Sequence, residues 1–359
     1  MNNISISAPI RKDLWGSIDG KDVWLFCLGN KAGTRLYVSN FGAAAQALFF
    51  KDRNGNYDDI LLGYDTLSAY QKDEVYLGTV VGRYANRIAG GEVWIDGEKY
   101  KLSTREGGYH QHGGENGFNK KVFNYSVNDD ENSITFSYTS PDMEEGFPGE
   151  LQLQVKYTLD DGDNWHIEYR CQTNKTTLVN LTQHAYFNLA GHLNGSVLDH
   201  ELLIMAENYL PVNSLQVPTG ELAKVGSSPF DFLHAKKIGD HIFDDHEQLN
   251  LSKGYDHSYV LKKEASEILN KVVIVEEQVS GRKMEVFTSE PAVHFYTGNF
   301  LNNAIVGKQG AIYKERSGFC LETQHYPDAP NKPNFPSTVL KAGEQFCSKT
   351  IYAFSLMDE

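Results

Sequence analysis

The side chains that could carry chemistry are concentrated in five polar segments that lie between apolar stretches. Glu322 lies in a strand-like stretch, and its carboxylate faces the side opposite to Phe319 and Leu321. His184 has an imidazole that can hold or release a proton near neutral pH. The segments are GRYANRIAGG (82–91), YHQHGGENGFNK (109–120), NLTQHAYFNLAG (180–191), GYDHSYVL (254–261) and FCLETQHYPDAPN (319–331).

Each of these residues also has an ordinary structural interpretation. A glutamate on a strand is more often a surface residue, although the loop that follows Glu322 is of the kind that rims sites. Likewise, His184 could be a hydrogen-bonded structural histidine, and Arg87 could be a salt-bridge partner. Asp256 and His257 could form a turn. Taken one at a time, these residues do not define a site.

A second histidine pattern, His110-Gln111-His112, could supply half of a metal site. In an extended segment the two imidazoles would point to the same face. A third ligand at a diagnostic spacing is missing. The sequence therefore predicts no metal.

The elements that must position these residues are strands, because hydrophobicity alternates with a period of two. Apolar residues alternate with polar ones along Leu151–Leu159 and again along Trp165–Cys171, with a turn of sequence DDGDN between them. This pattern predicts an antiparallel hairpin with one buried face. Two more hairpins are predicted, one around Asp96-Gly97 and one around Ser280-Gly281.

Further strands are predicted throughout the chain, and helical signals are few. Because no linker or repeat divides the chain, we expect residues 1–359 to form a single all-β domain, a large sandwich or barrel. The short helices are predicted at Thr66–Gln71 and Ala265–Asn270. The further strands are predicted at Asp22–Leu28, Thr34–Ser39, Ser133–Thr139, Leu202–Met205, Ser258–Leu261, Phe319–Thr323 and Thr350–Leu356.

Composition excludes several classes of function. The chain has 359 residues and a formal net charge of −14, which disfavours binding to nucleic acid or to anionic lipid. No apolar run approaches the roughly 20 residues of a membrane helix, and no signal peptide is visible. The four cysteines form no C-x-x-C pair, which predicts free buried thiols in a cytoplasmic protein.

Taken together and in order, the segments resemble the aldose 1-epimerase (galactose mutarotase) family across nearly the whole chain. The segment FYTGNFL (295–301) adds to the resemblance. It implies a large antiparallel β-sandwich of the galactose mutarotase-like (supersandwich) type. It also implies an isomerase that interconverts the α and β anomers of free aldohexoses such as galactose and glucose, without a cofactor or metal. A monomer or homodimer is expected.

The resemblance also implies roles for individual residues. Glu322 corresponds to the general base and His184 to the general acid. One position departs from the pattern, because the residue before FYTGNF, often Gln in this family, is His294 here. This leaves the contact at that position, and the preferred sugar, open. The remaining residues are implied to bind the sugar: Asn86, Arg87, His112, Tyr186 and Asp256.

These residue types suit ring opening of a hemiacetal. A base must take the C1 hydroxyl proton while an acid protonates the ring oxygen, and a carboxylate and an imidazolium do this near neutral pH. We expect the acidic surroundings to favour the charged imidazolium. The alternatives are a non-catalytic carbohydrate-binding β-sandwich, which needs no acid–base pair, and a glycoside hydrolase, which usually needs two carboxylates.

Overall fold

The computed structural model describes residues 9–262, 269–301 and 305–358. Strands dominate these residues, and every pair of named strands is antiparallel. The α-helices are α1 (Leu67–Gln71) and α2 (Glu247–Ser252). Short 3-10 helices cover Phe118–Lys120, Glu144–Gly146, Ile238–Asp240, Lys308–Gly310 and Ala329–Asn331.

The strands are numbered here in chain order. They are β1 (Arg11–Ile18), β2 (Lys21–Gly29), β3 (Arg35–Ser39), β4 (Ala45–Lys51), β5 (Tyr57–Asp59), β6 (Val80–Val81), β7 (Arg87–Ala89), β8 (Glu92–Ile95), β9 (Glu98–Lys101), β10 (Tyr109–Gln111), β11 (Asn124–Asn128), β12 (Ser133–Ser140), β13 (Leu151–Leu159), β14 (Asn164–Thr173), β15 (Thr177–Leu178), β16 (Thr182–Gln183), β17 (Glu201–Ile204), β18 (Asn208–Tyr209), β19 (Ala223–Lys224), β20 (Lys236–Lys237), β21 (Asp256–Val260), β22 (Asn270–Glu277), β23 (Arg282–Thr288), β24 (Ala292–Tyr296), β25 (Ile305–Val306), β26 (Ile312–Tyr313), β27 (Cys320–Gln324), β28 (Val339–Leu340) and β29 (Gln345–Leu356).

Three larger sheets organise these strands. A nine-stranded sheet has the order β11-β12-β13-β14-β29-β23-β22-β17-β20, and five-stranded sheets have the orders β1-β2-β3-β4-β5 and β19-β18-β21-β24-β27. The remaining strands form two-stranded ribbons, of which β7–β10 and β6–β16 lie next to predicted site residues. The all-β prediction is confirmed.

The three predicted hairpins are confirmed, and their alternation has the expected cause. On β13 the residues from Leu151 to Leu159 alternate between buried and more exposed positions, and β14 shows the complementary pattern. Trp165 on β14 is fully buried, with its ring centroid 5.6 Å from that of Tyr157 and 5.4 Å from that of Tyr352. Replacing a buried aromatic residue of this kind by alanine typically destabilises a protein by about 3–5 kcal/mol.

One apolar core joins the larger sheets. It contains Phe26 of β2, Phe136 of β12 and Phe295 of β24, together with residues of the connecting loops. The prediction of a single domain over residues 1–359 is consistent with this shared core and stays a prediction.

Some local predictions differ from the structure. The helix at Thr66–Gln71 is confirmed as α1, and the Thr66 hydroxyl caps it by accepting from the backbone N–H of Ala69. Most of the helix predicted at Ala265–Asn270 lies outside the described residues, and Asn270 begins β22 instead. The prediction of four buried thiols is wrong for Cys347, which is exposed near the start of β29.

Helix α2 and strand β1 were not predicted. Helix α2 has only six residues, too few for a clear 3.6-residue period. Strand β1 is an edge strand whose residues are mostly exposed, so that it lacks the alternation of a half-buried strand. Neither α1 nor α2 is long or apolar enough to cross a membrane, and the described residues contain no other α-helix.

Candidate active site

A cleft of about 500 Å³ is lined by all eight residues for which the sequence analysis expects a role in proton transfer or sugar binding. This size is suited to a small ligand. The cleft wall is formed by strands β7, β10, β21, β24 and β27 and by the loops near residues 74–76, 106–107, 184–186 and 214–216. The predicted residues that line it are Asn86, Arg87, His112, His184, Tyr186, Asp256, His294 and Glu322.

Adjacent strands bring three polar side chains into one row across the sheet. Ser258 of β21 pairs with His294 of β24, and His294 pairs in turn with Glu322 of β27. Directly opposed residues project to the same face of a sheet. Asp256 stands two residues before Ser258 and therefore shares that face. The suggestion that Asp256 and His257 form a turn is wrong, because both belong to β21.

Asn86 and His112 are placed by the ribbon of β7 and β10. Both residues have left-handed backbone conformations, with φ of 62° and 50° respectively, just outside their strands. The backbone N–H of His112 donates to the Asn86 carbonyl at 2.9 Å, and the Asn86 N–H donates to His112 Nδ1 at 3.3 Å. Because Nδ1 is an acceptor, a neutral His112 carries its proton on Nε2.

His110 does not share this site. Its Nδ1 is 2.8 Å from the Ser103 carbonyl oxygen, and its ring packs against Phe147 at a centroid distance of 5.1 Å. The expectation that His110 and His112 face the same side is wrong, since the left-handed turn at His112 breaks the extended segment. Among the described residues, no group of three His, Cys, Asp or Glu side chains is arranged to hold a metal ion.

The imidazole of His184 lies between two tyrosine rings. Its centroid is 5.8 Å from that of Tyr76 and 5.0 Å from that of Tyr186, with interplanar angles of 22° and 23°. The Tyr186 hydroxyl donates to the Val75 carbonyl at 2.8 Å, which fixes that ring. The stacking sets the plane in which the two imidazole nitrogens lie.

Within that plane, the two nitrogens of His184 face different partners. Nδ1 is 3.5 Å from Cys320 Sγ, and Nε2 is 3.7 Å from Glu322 Oε1. Cys320 and Glu322 both lie on β27, two residues apart, and both are buried. Glu322 Oε2 has no hydrogen-bond partner among the described residues. A carboxylate and an imidazole thus meet at the base of the cleft.

Burial determines the protonation of this pair. It lowers the pKa of His184 to about 3, despite the opposing charge of Asp256. It also raises the pKa of Glu322 well above its ordinary value; the charge of Asp256 adds to this effect and that of Arg87 opposes it. The expectation that acidic surroundings favour a charged imidazolium is therefore wrong for the unliganded site. A proton shared by the pair is therefore held more tightly by Glu322 than by His184, since desolvation penalises both charged forms.

Asp256 shows the opposite behaviour. Burial acts to raise its pKa, but the hydrogen bond and charge of His294, followed by the charge of Arg87, outweigh it and bring the pKa to about 2. His294 Nε2 is 2.7 Å from Asp256 Oδ1, and His294 Nδ1 is 2.9 Å from Ser258 Oγ. His294 thus connects a serine and an aspartate on the neighbouring strand, and Asp256 stays an ionised acceptor.

The cleft also contains residues that the sequence analysis did not single out. Tyr76 stacks on His184 and lies 4.6 Å, between centroids, from the ring of His112. Gln216 contacts Arg87, while Leu215 and Phe300 stand at the rim. Phe300 lies in the FYTGNFL segment, whose resemblance to the family could have pointed to it. Tyr76 and Gln216 lie in loops without a motif, and only tertiary structure brings them to the cleft.

Comparison with known proteins identifies the family to which the chain belongs. A solved structure described as an aldose epimerase homologue from C. elegans superposes with a TM-score of 0.86 and 30% identity, covering 93% of this chain and 99% of that chain. The sequence profile of the family described as aldose 1-epimerase matches residues 25–353. The chain therefore belongs to the aldose 1-epimerase family and is an isomerase.

Curated relatives agree with this assignment. The galactose mutarotase of Bos taurus is 44% identical over 322 residues, which are 90% of this chain and 91% of the relative. The aldose 1-epimerase of Escherichia coli K12 is 35% identical over 340 residues, 94% of this chain and 96% of the relative. The predicted family and activity class are confirmed.

Proposed function

We propose that this isomerase interconverts the α and β anomers of free aldohexoses, galactose and glucose among them, with Glu322 and His184 as the proton-transfer pair. The observation that carries the proposal is the pair itself, with Oε1 and Nε2 3.7 Å apart at the base of an open cleft. Relatives named galactose mutarotase and aldose 1-epimerase support the choice of substrate.

The reaction needs one protonated and one unprotonated group. In the reactive form, the Glu322 carboxylate takes the proton of the C1 hydroxyl while His184 Nε2 gives one to the ring oxygen O5. The C1–O5 bond breaks, and an open-chain aldehyde with a C5 hydroxyl remains. Rotation about C1–C2 presents the other face of the aldehyde. Ring closure then returns a proton from the C5 hydroxyl to His184 and one from Glu322 to the C1 oxygen.

In the unliganded pair, Glu322 holds a shared proton more tightly than His184 does. Moving that proton from Glu322 to His184 creates two opposite charges, which attract each other across 3.7 Å in a site of low dielectric constant. The sugar hydroxyls that enter the cleft replace part of the lost solvation of both groups. Substrate binding therefore favours the charged form that can open the ring, and no net proton uptake is needed.

The remaining polar residues are suited to hold the open-chain sugar while C1 turns. Arg87 offers hydrogen-bond donors. Asp256, whose pKa is lowered to about 2, is ionised and offers acceptors. Their nearest atoms, Arg87 Nη2 and Asp256 Oδ2, are 3.9 Å apart. Neighbouring hydroxyls of one sugar can bridge such a donor and acceptor. Asn86 and His112 complete the polar wall on the β7–β10 side.

Polarimetry tests the proposal. Freshly dissolved α-galactose or α-glucose changes its optical rotation slowly on its own, and the purified protein is expected to accelerate that change. Calorimetric titration with the same sugars runs in parallel. Sugar binding without faster mutarotation would support the carbohydrate-binding alternative and overturn the proposed reaction. Release of the chromophore from an aryl glycoside would indicate hydrolysis instead.

A further inference from the structure

The turn between Val212 and Pro218 forms one wall of the cleft and carries Gln216 at its inner side. Val212 and Pro218 form an isolated β-bridge that closes the turn. Gln216 has a left-handed backbone with φ of 58°, and its N–H donates to the Asn213 carbonyl at 2.8 Å. Ser214, Leu215 and Gln216 all line the cleft.

The turn is fixed to helix α2 at two points. Gln248 of α2 accepts from the Val212 N–H at 2.7 Å and donates to the Val212 carbonyl at 2.9 Å. The Gln216 side-chain nitrogen, Nε2, donates to the Leu251 carbonyl of the same helix at 3.3 Å. These bonds hold the turn and the Gln216 amide against helix α2, and the side-chain oxygen, Oε1, points toward the cleft.

That oxygen accepts from the guanidinium of Arg87. Arg87 Nη2 donates to Gln216 Oε1 at 2.8 Å, and Arg87 Nη1 donates to the Gln216 carbonyl at 3.4 Å. The Arg87 guanidinium also lies 5.7 Å from the centroid of the Tyr109 ring. The ion pair with Asp256, at 3.9 Å, is longer than either hydrogen bond to Gln216.

We infer that Gln216 is a positioning residue that sets the direction of the Arg87 guanidinium and thereby the affinity for the sugar. A guanidinium has five N–H donors, of which Gln216 takes two. Of the three that remain, the N–H of Nε is buried and has no partner among the described residues, which leaves one N–H on each of Nη1 and Nη2 for ligand hydroxyls. Without Gln216 the guanidinium would turn toward the carboxylate of Asp256 and occupy the acceptor that the sugar needs. The inference rests on the proposed function.

A double-mutant cycle tests this role. Gln216→Met keeps the length of the side chain but removes its side-chain hydrogen bonds to Arg87 and Leu251, while the backbone carbonyl can still accept from Arg87 Nη1. We expect KM for galactose to rise roughly 10-fold, as for the loss of one charge-assisted hydrogen bond, with kcat within about 2-fold of wild type. In an Arg87→Met background, the same change should alter KM by less than about 2-fold. Gln172→Met, at an exposed position of β14, is the matched control.

The outcomes separate this inference from the proposed function. If Gln216→Met raises KM equally with and without Arg87, the residue acts on the fold of the turn and the inference is wrong. If wild type lacks mutarotase activity, the proposed function fails, and the same cycle is then measured as Kd for galactose by calorimetry. Gln216→Asn, which withdraws the side-chain oxygen by one methylene, gives the same comparison if the methionine variant does not fold.

Discussion

Replacing His294 by alanine tests how the cleft keeps Asp256 ionised and oriented. In the wild-type protein, His294 Nε2 lies 2.7 Å from Asp256 Oδ1, and it is the main group that outweighs the effect of burial on the pKa of Asp256. The alanine variant leaves Arg87, at 3.9 Å, as the remaining counter-charge. The buried carboxylate of Asp256 then lacks the hydrogen bond that orients it.

The size of the effect follows from this single hydrogen bond. A hydrogen bond to a charged group contributes about 1.5–3 kcal/mol, which corresponds to a rise of about one to two units in the pKa of Asp256. From a folded pKa of about 2, Asp256 then titrates near pH 3–4. At pH 7 the carboxylate is still ionised but less well oriented, and we expect KM to rise roughly 10-fold. A further rise of about 2-fold is expected at pH 4 in the variant alone.

The assay is polarimetry of galactose mutarotation at pH 7 and pH 4 for wild type, His294→Ala and His294→Gln. The glutamine amide can donate to Asp256, and we therefore expect this variant to restore KM to within a few-fold of wild type. His166→Ala is the matched control, because His166 lies 2.7 Å from Asp160 in a pair away from the cleft. If the alanine variant binds sugar like wild type, or the glutamine variant is as impaired as alanine, the reasoning is refuted.

Three further predictions concern the Glu322–His184 pair, the stacking of Tyr76 on His184, and the stability of the fold. The pH profile of kcat/KM should show no acid limb near pH 6.5, because burial lowers the pKa of His184 to about 3; an acid limb there in a polarimetric pH profile would contradict this. Tyr76→Leu removes one of the rings stacked on His184 and should lower kcat more than Tyr76→Phe does. Equal polarimetric rates for the two variants would contradict a role of this stacking in holding His184. Lys308→Met leaves the buried Asp59 without its ion-pair partner and should destabilise the protein by about 3–5 kcal/mol in thermal unfolding. Adding Asp59→Asn to this variant should restore most of the lost stability. An unchanged Tm in the single variant would contradict the prediction.

The sequence predicted the fold class and the set of site residues, and the reasons are specific. Period-two alternation gave the hairpin of β13 and β14 because each strand buries one face. Seven of the eight predicted cleft residues lie in segments that resemble the family, and His294 directly precedes another such segment, so that resemblance alone was enough to group them. Their roles in binding and proton transfer stay predictions.

The features of the site that the sequence did not predict depend on tertiary structure. Acidic surroundings were expected to favour the charged imidazolium of His184, but desolvation outweighs that effect inside the cleft. Tyr76 and Gln216 contact the site from loops whose course no local pattern determines. The chain of hydrogen bonds from Ser258 through His294 to Asp256 required the register of β21 and β24.

The most direct test of the central claim is the polarimetric rate of α-galactose mutarotation for Glu322→Gln and His184→Asn. Each variant keeps a polar group of similar size but removes one of the two proton-transfer groups. We expect kcat to fall by about 10²–10⁴-fold in each variant, while Glu92→Gln, at an exposed position of the β8–β9 hairpin, retains full activity. If either cleft variant relaxes the optical rotation as fast as wild type, Glu322 and His184 are not the acid–base pair.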